Sequence, residues 1–530
     1  MDIDTILYNG TIHTLDPRAP TAEAIAIAGE QIVAVGADSD LSALLGPNGK
    51  SIDLDGKTVI PGLVDAHLHF AGYSQRLDQV HIHELPKEET LARVKERVIQ
   101  SGPGKWVRGG GWNCNLWPGG AFPTRQELDA IAPDNPVALS SKDGHSVWIN
   151  TKAMQEAGID AHTADVPGGA IFRDASGVPT GILQENALGL VYDAIPHPTL
   201  DENVSVIERG MARAHSLGLT GVHDCEGADA LAAFQTLRQQ GKLTMRVLMH
   251  IPRASVEAAI QVGIHDGLGD SWIRLYGCKI FADGALGSRS AWMIAPYEDD
   301  PDSTGIPTIA PEDLTALVRQ CNHAGLSVAV HAIGDGANRA VLSAIEQTQD
   351  ARTAHLRNRI EHVQLLHPDD IARLAKLGVV ASMQPIHATA DIDIVELHWG
   401  ARGASSYAWR SLLDSGTVLA FGSDAPVEDI APLVGIHAAV TRRRANGYPA
   451  PEGWYPEQRL TVHEALSAYT IGAAYASGEE NTKGSLVPGK LADLVVLDRD
   501  LYQIDPMEIL ETQVVATMVG GRFVYQGQSL

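Results

Sequence analysis

The chain is predicted to be an α/β protein: a closed (β/α)8 barrel of the TIM type, a small β-sandwich domain built from both termini, and a subdomain inserted after the first barrel strand. Three observations predict this. Eight β-rich runs alternate with helical stretches through the middle of the chain, the pattern of βα units in a parallel sheet. Both ends are rich in short β runs separated by glycine turns. The interval from Phe70 to Thr220, between the first two barrel runs, is far longer than one crossover needs. At 530 residues the chain exceeds one ordinary core and has room for all three parts.

In chain order, Thr5–Tyr8, Thr11–Leu15, Ala24–Ile27, Gln31–Val35 and Thr58–Ile60 read as strands, punctuated by Asn9-Gly10, Ala28-Gly29-Glu30 and Asp55-Gly56. The barrel strands expected next are Leu63–His69, Gly221–Asp224, Leu243–His250, Ile273–Phe281, Ser327–His331, Arg359–His362, Val379–Met383 and Val418–Gly422. Helical stretches such as Asp313–Ala324 and Pro368–Leu377 lie between them. The insert, expected at about residues 75–210, is rich in Gly, Pro and Trp. The C-terminal runs Ala492–Asp498, Val514–Val519 and Arg522–Tyr525 match the N-terminus in texture. The expected division is 1–61 with 484–530 for the sandwich and 62–483 for the barrel and its insert.

Composition narrows the function classes. Lys and Arg total 40 against 65 Asp and Glu, a net charge of −25, which opposes binding to nucleic acid or an anionic membrane through a general field. The four cysteines, Cys114, Cys225, Cys278 and Cys321, are scattered with no Cys-x-x-Cys pair. With no basic-then-apolar leader, they predict a reducing cytoplasm. No apolar run reaches the roughly 18–20 residues that span a bilayer.

The chemistry starts at Thr58-Val-Ile-Pro-Gly-Leu-Val-Asp-Ala-His67-Leu-His69. Residues two apart on a strand share a face, so both imidazoles project together, either lining a polar cleft or gripping one ion. Active sites of such barrels sit at the C-terminal strand ends. There the runs close in His331, His362 and Asp424, and Lys279 precedes Ile280-Phe281. These groups exceed what one zinc site with an open position requires, so two ions and an anionic bridge between them are expected.

Strand ends reading His-x-His, Lys, His, His and Asp resemble the amidohydrolase superfamily. Gly144-His-Ser-Val-Trp-Ile-Asn150, Gly181-Ile-Leu-Gln-Glu185, Lys279-Ile-Phe-Ala-Asp-Gly-Ala-Leu-Gly-Ser288, His331-Ala-Ile-Gly-Asp335 and Phe421-Gly-Ser-Asp-Ala-Pro426 are similar to the branch containing N-substituted formamide deformylase, amidohydrolase family 3. The likeness runs over essentially the whole chain. It implies that His67 and His69 hold one divalent ion, zinc by preference, and His331 and His362 a second. It further implies that Asp424 touches the first ion and acts as acid and base, and that Lys279, carboxylated to a carbamate, bridges the pair. Cys225 or Glu226, ending the second strand, is a rival bridge.

The implied activity is hydrolysis of a non-peptide carbon–nitrogen bond in a small amide, N-formyl or N-acyl amine. One alternative is a mononuclear deaminase of a cyclic amidine, for which Glu361 beside His362 gives a foothold, although a regular strand would point the two apart. The other is a catalytically silent scaffold, which the intact ligand set opposes. His145 is a candidate oxyanion donor or loop brace. Glu185, Asp283 and Arg289 are candidate substrate contacts, as is Trp112, grouped with Trp106 and Trp117 in either an apolar lid or a small core. The expected partner is a small molecule, with no nucleic acid or membrane. Homodimers are common among such proteins.

Overall fold

Eight parallel strands follow one another around a single sheet: β1 (Leu63–Leu68), β2 (Leu219–Asp224), β3 (Arg246–Pro252), β4 (Ile273–Phe281), β5 (Val328–Ala332), β6 (Arg359–His362), β7 (Val380–Met383) and β8 (Leu419–Phe421). The computed structural model describes residues 3–83, 85–142 and 145–527. Pairing runs in chain order from β1 to β8, as successive βα units require. The ends of β8 and β1 are joined by Asp424 N–H donating to His67 O (2.7 Å) and His69 N–H donating to Ala425 O (2.8 Å). The result is a nearly closed eight-stranded parallel barrel.

Gly422 is what lets this seam form. A Cβ there would lie 2.5 Å from Asp65 Oδ1 and 2.6 Å from the His67 backbone nitrogen. In its place the buried Asp65 carboxylate crosses the seam, accepting from the Ser423 hydroxyl (2.5 Å), the Ser423 N–H (3.1 Å) and the His67 N–H (3.1 Å). Burial nonetheless pushes its carboxyl up to about 7.

The barrel core forms where apolar strand residues meet the surrounding helices. Val222, Val247, Ile280, Val330 and Ile360 pack with Ile207, Phe234, Leu314 and Leu342. The chain termini add two further sheets. One, in the order Gln31–Gly36, Ala24–Ala28, Ile3–Tyr8, Leu45–Asp53, is wholly N-terminal. The other draws on both ends, in the order Arg522–Gln526, Val514–Val519, Leu494–Leu497, Thr58–Pro61, Thr11–His13, Thr21–Ala22. Leu7, Ile25 and Ile32 of the first share a core with Ile12, Val59, Leu494 and Met518 of the second. These sheets cluster with the barrel in one compact unit, Met1–Tyr73 with Asn203–Leu530.

A second unit spans Ser74–Glu202. It has a mixed sheet in the order Gly169–Arg173, Pro179–Glu185, Ser146–Ile149, Val137–Ser141, Val107–Trp112, Val80–His81. Trp112, Trp117 and Trp148 fill one of its cores with Val107, Leu139 and Ile182, and Trp106 packs on another. Among the described residues no helix is long and apolar enough to cross a membrane.

Candidate active site

The strand ends at the C-terminal mouth of the barrel bring His67, His69, Lys279, His331, His362 and Asp424 to one cavity of about 330 Å³. The ligand atoms of His67, His362 and Asp424 all lie within 4.8 Å of one another. His67 Nε2 and His69 Nε2 each sit 3.6 Å from Asp424 Oδ1. The His331 and His362 rings meet edge to face with centroids 4.5 Å apart, and His362 lies 4.8 Å from His67. Lys279 Nζ is 3.3 Å from His67 Nε2.

Each inner imidazole is fixed by a hydrogen bond on its far side. His67 Nδ1 is 2.5 Å from Glu361 Oε2, and His362 Nδ1–H donates to Gln384 Oε1 at 2.8 Å. His331 Nε2–H donates to Gly284 O at 2.9 Å. That selects the tautomer and leaves one nitrogen lone pair on each ring for a ligand or ion. Burial, then the Lys279 charge, pushes the His67 and His331 imidazoles down to about 4. Burial, with His331 and His67 beside it, takes His362 well below its usual range. All three rings are therefore neutral near pH 7, the form that binds metal.

Asp424 is buried, which disfavours its charge, yet His387 at 3.5 Å and the surrounding imidazoles hold its carboxyl well below the usual range. Its backbone is left-handed (φ 59°), as is that of His362 (φ 75°). For non-glycine residues that conformation is uncommon, and it clusters where function over-determines geometry.

A regular strand points Glu361 away from His362; here His362 bonds Gln384, and Glu361 is bonded to His67 instead. Its carboxylate accepts from the buried Arg359, which also donates to Ala66 O and Ser382 Oγ. Burial opposes the Glu361 charge, but Arg359 and His67 outweigh it and keep the carboxyl well below its ordinary value. Arg359-x-Glu361 is an i, i+2 pair on one strand face, a signal present in the sequence and not used there.

His387 was also missed. It lies in the short helix Pro385–Ala390 that follows β7, not at a strand end, and lines the cavity with Gln364, Asp391 and Glu428.

The other predicted site residues do not line the cavity, although Asp283 Oδ1 lies 3.5 Å from His331 Nε2. Asp283 is a loop brace that accepts from the N–H groups of Trp292 (2.9 Å), Ile333 (3.0 Å) and Gly334 (2.8 Å). Burial lifts its carboxyl to about 7. Arg289 pairs with Asp299 at 3.3 Å on an exposed loop. Neither lines the cavity. Trp112 is 2 % exposed in the core of its own unit, with Nε1–H donating to Leu139 O at 2.8 Å, so the small-core reading replaces the lid. His145 and Glu185 form an exposed pair in that unit at 3.1 Å. Asp143 and Gly144, which precede His145, lie outside the described residues.

Of the rival bridges, Glu226 accepts from Ala71 and Gly72 N–H at the start of the helix Phe70–Leu77 and does not line the cavity. Cys225 Sγ sits 3.7 Å from His67 Nδ1, and burial pushes its thiol up to about 12.

Known proteins share this arrangement of chain. The profile of the amidohydrolase family matches residues 50–525. Protein LONG AFTER FAR-RED 3 of Arabidopsis thaliana is 35% identical over 98% of this chain and 91% of its own length. N-substituted formamide deformylase of Arthrobacter pascens is 29% identical over 99% of this chain and 98% of its own. The crystal structure of an uncharacterized metal-dependent hydrolase from Pyrococcus furiosus superposes with a TM-score of 0.79 at 29% identity, covering 94% of this chain and 100% of that one. Matched from the first barrel strand to the last and over nearly all of its length, the chain belongs to the amidohydrolase family.

Proposed function

We propose that this protein is a metal-dependent hydrolase of carbon–nitrogen bonds other than peptide bonds, acting on a small amide, N-formyl or N-acyl amine. The observation that carries this reading is the convergence of neutral, tautomer-fixed imidazoles on an ionised carboxylate at the barrel mouth. That donor set fits a divalent metal such as zinc. His67, His69 and Asp424 would hold one ion and His331 and His362 a second, with a carbamate on Lys279 as the bridge. When bound, such ions polarise a carbonyl and lower the pKa of water to roughly 7.

The chain's own residues supply the rest. Asp424, ionised and held by His387, is placed to take a proton from attacking water and return it to the leaving nitrogen, which departs only when protonated. Phe281, Leu286, Ile333 and Ile394 give the cavity apolar walls that exclude bulk water and seat an apolar N-substituent. Glu361 is bonded to Arg359 and His67 beneath the cavity, which removes it as the acid–base group a deaminase would need. His145 and Glu185 are assigned no step. Residues 1–61 with 484–530 are proposed to form a β-sandwich domain, a reading supported by the core that the two terminal sheets share.

Metal per chain, measured by elemental analysis on protein made with ample zinc and bicarbonate, tests the reading. Two ions are expected in the native chain, falling to one or none in Lys279→Ala. Asp424→Asn should keep most of its metal and lose turnover of N-formyl and N-acyl amines by about a hundredfold or more. One ion in both native protein and Lys279→Ala would sink the binuclear site, and full activity in Asp424→Asn would sink the proton-transfer role.

A further inference from the structure

Three polar residues of the cavity have no part in the chemistry just described. Gln364, Asp391 and Glu428 come from the segments following β6, β7 and β8. Gln364 is only 4 % exposed, and its side-chain oxygen is buried with no hydrogen-bond partner among the described residues. A half-turn of the amide exchanges its oxygen and nitrogen, so the Gln364 carboxamide can turn its acceptor toward whatever fills the cavity. A buried amide left unsatisfied carries a desolvation penalty, which a ligand can recover.

Tyr407 holds this group in place. Its N–H donates to Gln364 O (2.8 Å) and its hydroxyl donates to Asp391 Oδ2 (2.5 Å), from a left-handed backbone (φ 48°). Asp391 Oδ1 accepts no side-chain hydrogen bond among the described residues and is the oxygen left for a ligand. Glu428, with its side chain 27 % exposed, has His387 Nδ1 at 4.0 Å. Among the described residues neither carboxylate makes an ion pair with a lysine or arginine. His387 also faces Asp424 Oδ2 at 3.5 Å, and the Arg444 charge favours an ionised Asp391 without pairing with it, so these two side chains do not match the three carboxylates Asp391, Asp424 and Glu428. Ile394 and Val427 line the cavity beside them.

Acceptors of this kind with apolar neighbours complement a ligand that is all donor, positively charged and carried on hydrocarbon. An ammonium group offers three N–H donors and no acceptor. A neutral or anionic tail would leave two partly desolvated carboxylates facing it unpaired. We propose that Gln364, Asp391 and Glu428 form a subsite for a cationic nitrogen, so that the substrate is an N-acyl or N-formyl amine bearing a second, protonated amine on a short apolar stem. The substrate class rests on the hydrolase reading; the cation subsite does not.

The test separates the two. Calorimetric titration of the metal-loaded full chain compares n-butylammonium with n-butanol, in native protein and in Asp391→Asn/Glu428→Gln. Butylammonium should bind about tenfold or more tightly than butanol in the native chain, and the double variant should erase the difference. Gln364→Leu should weaken butylammonium several-fold. Equal affinities, or no binding of butylammonium, would overturn the subsite. If the double variant melts early, Glu428→Gln alone gives the same comparison, because that side chain is half-buried and its replacement isosteric.

In parallel, kcat/KM is compared for N-formyl-1,4-diaminobutane and N-formylpentylamine. Preference for the diamine through KM supports the substrate class. Equal rates overturn it while leaving the hydrolase reading intact. Failure to hydrolyse either, with the binding preference present, overturns the hydrolase reading and leaves the subsite standing.

Discussion

Glu361 never meets solvent or the cavity, yet the chemistry of His67 depends on it. Both of its oxygens accept from Arg359 and Oε2 also meets His67 Nδ1, completing a buried triad whose charges balance. Removing one member of a buried charge pair leaves the other uncompensated, at a cost of about 3–5 kcal/mol. Partners that orient a ligating histidine typically contribute about ten- to a hundredfold in metal affinity. Glu361→Gln keeps the shape but presents an amide N–H₂ where Arg359 already donates. We expect metal affinity, read by competition with a chromogenic chelator, to fall by about that factor, with a lower melting temperature. Affinity equal to the native protein's would show that His67 needs no orienting carboxylate. The residue was legible only in part: strand alternation already pointed it away from His362, but only the fold delivers it to His67.

Among the elements, the seam between β1 and β8 carries the most function per residue, since His67 and Asp424 leave it from opposite sides. Gly422 occupies its narrowest point. Gly422→Ala would drive a methyl into the Asp65 carboxylate and the His67 backbone, neither of which can yield without moving a site residue. Overpacking of this kind costs about 1–3 kcal/mol. Activity should fall further than stability, because the displaced groups are the working ones. Thermal unfolding and turnover measured together decide it, and a variant with native turnover would mean that the seam tolerates the shift. The strands themselves were readable from sequence. Runs such as Ile273–Phe281 and Arg359–His362 appear with the expected bounds, because apolar runs between turn signals need no tertiary information to be seen. The residues ending those strands followed from the rule that barrel chemistry sits at their C-terminal ends. What escaped was non-local. Asp283 and Arg289 lie in a family phrase, but whether a loop carboxylate braces backbone N–H groups or faces a ligand depends on where Trp292 and Gly334 are brought in the fold. Gln364 and Asp391 share a cavity and are both bonded to Tyr407, and nothing local in the chain announces that.

Over the whole molecule, two proton-linked effects of opposite sign govern stability as pH falls below 7. The net charge of −25 makes the folded chain repel itself, and protonating carboxylates relieves that strain. Buried neutral histidines act the other way. His215, enclosed between Leu219 O and Thr244 Oγ1 at 2.9 Å each, is pushed down to about 4 by burial, and His437 likewise to about 4. Neither is among the proposed metal ligands. Above about 6.5, the ordinary imidazole value, each ring is neutral in both folded and unfolded chains and its contribution is fully present. Between 6.5 and about 4 only the unfolded chain takes up the proton, so stability falls with pH through that window. For His215 the loss reaches roughly 3 kcal/mol at its lower end, at about 1.4 kcal/mol per pH unit. Because the carboxylates oppose it, the native protein alone cannot display this term. The comparison with His215→Gln can, since Gln retains hydrogen-bonding atoms but does not titrate. Denaturant midpoints at pH 7 and pH 5, at fixed high salt to screen the surface charge, should show the variant losing less stability on acidification than the native chain. The difference in slope should approach one proton. Parallel slopes would mean that the folded protein lets His215 take up its proton as readily as the unfolded chain does.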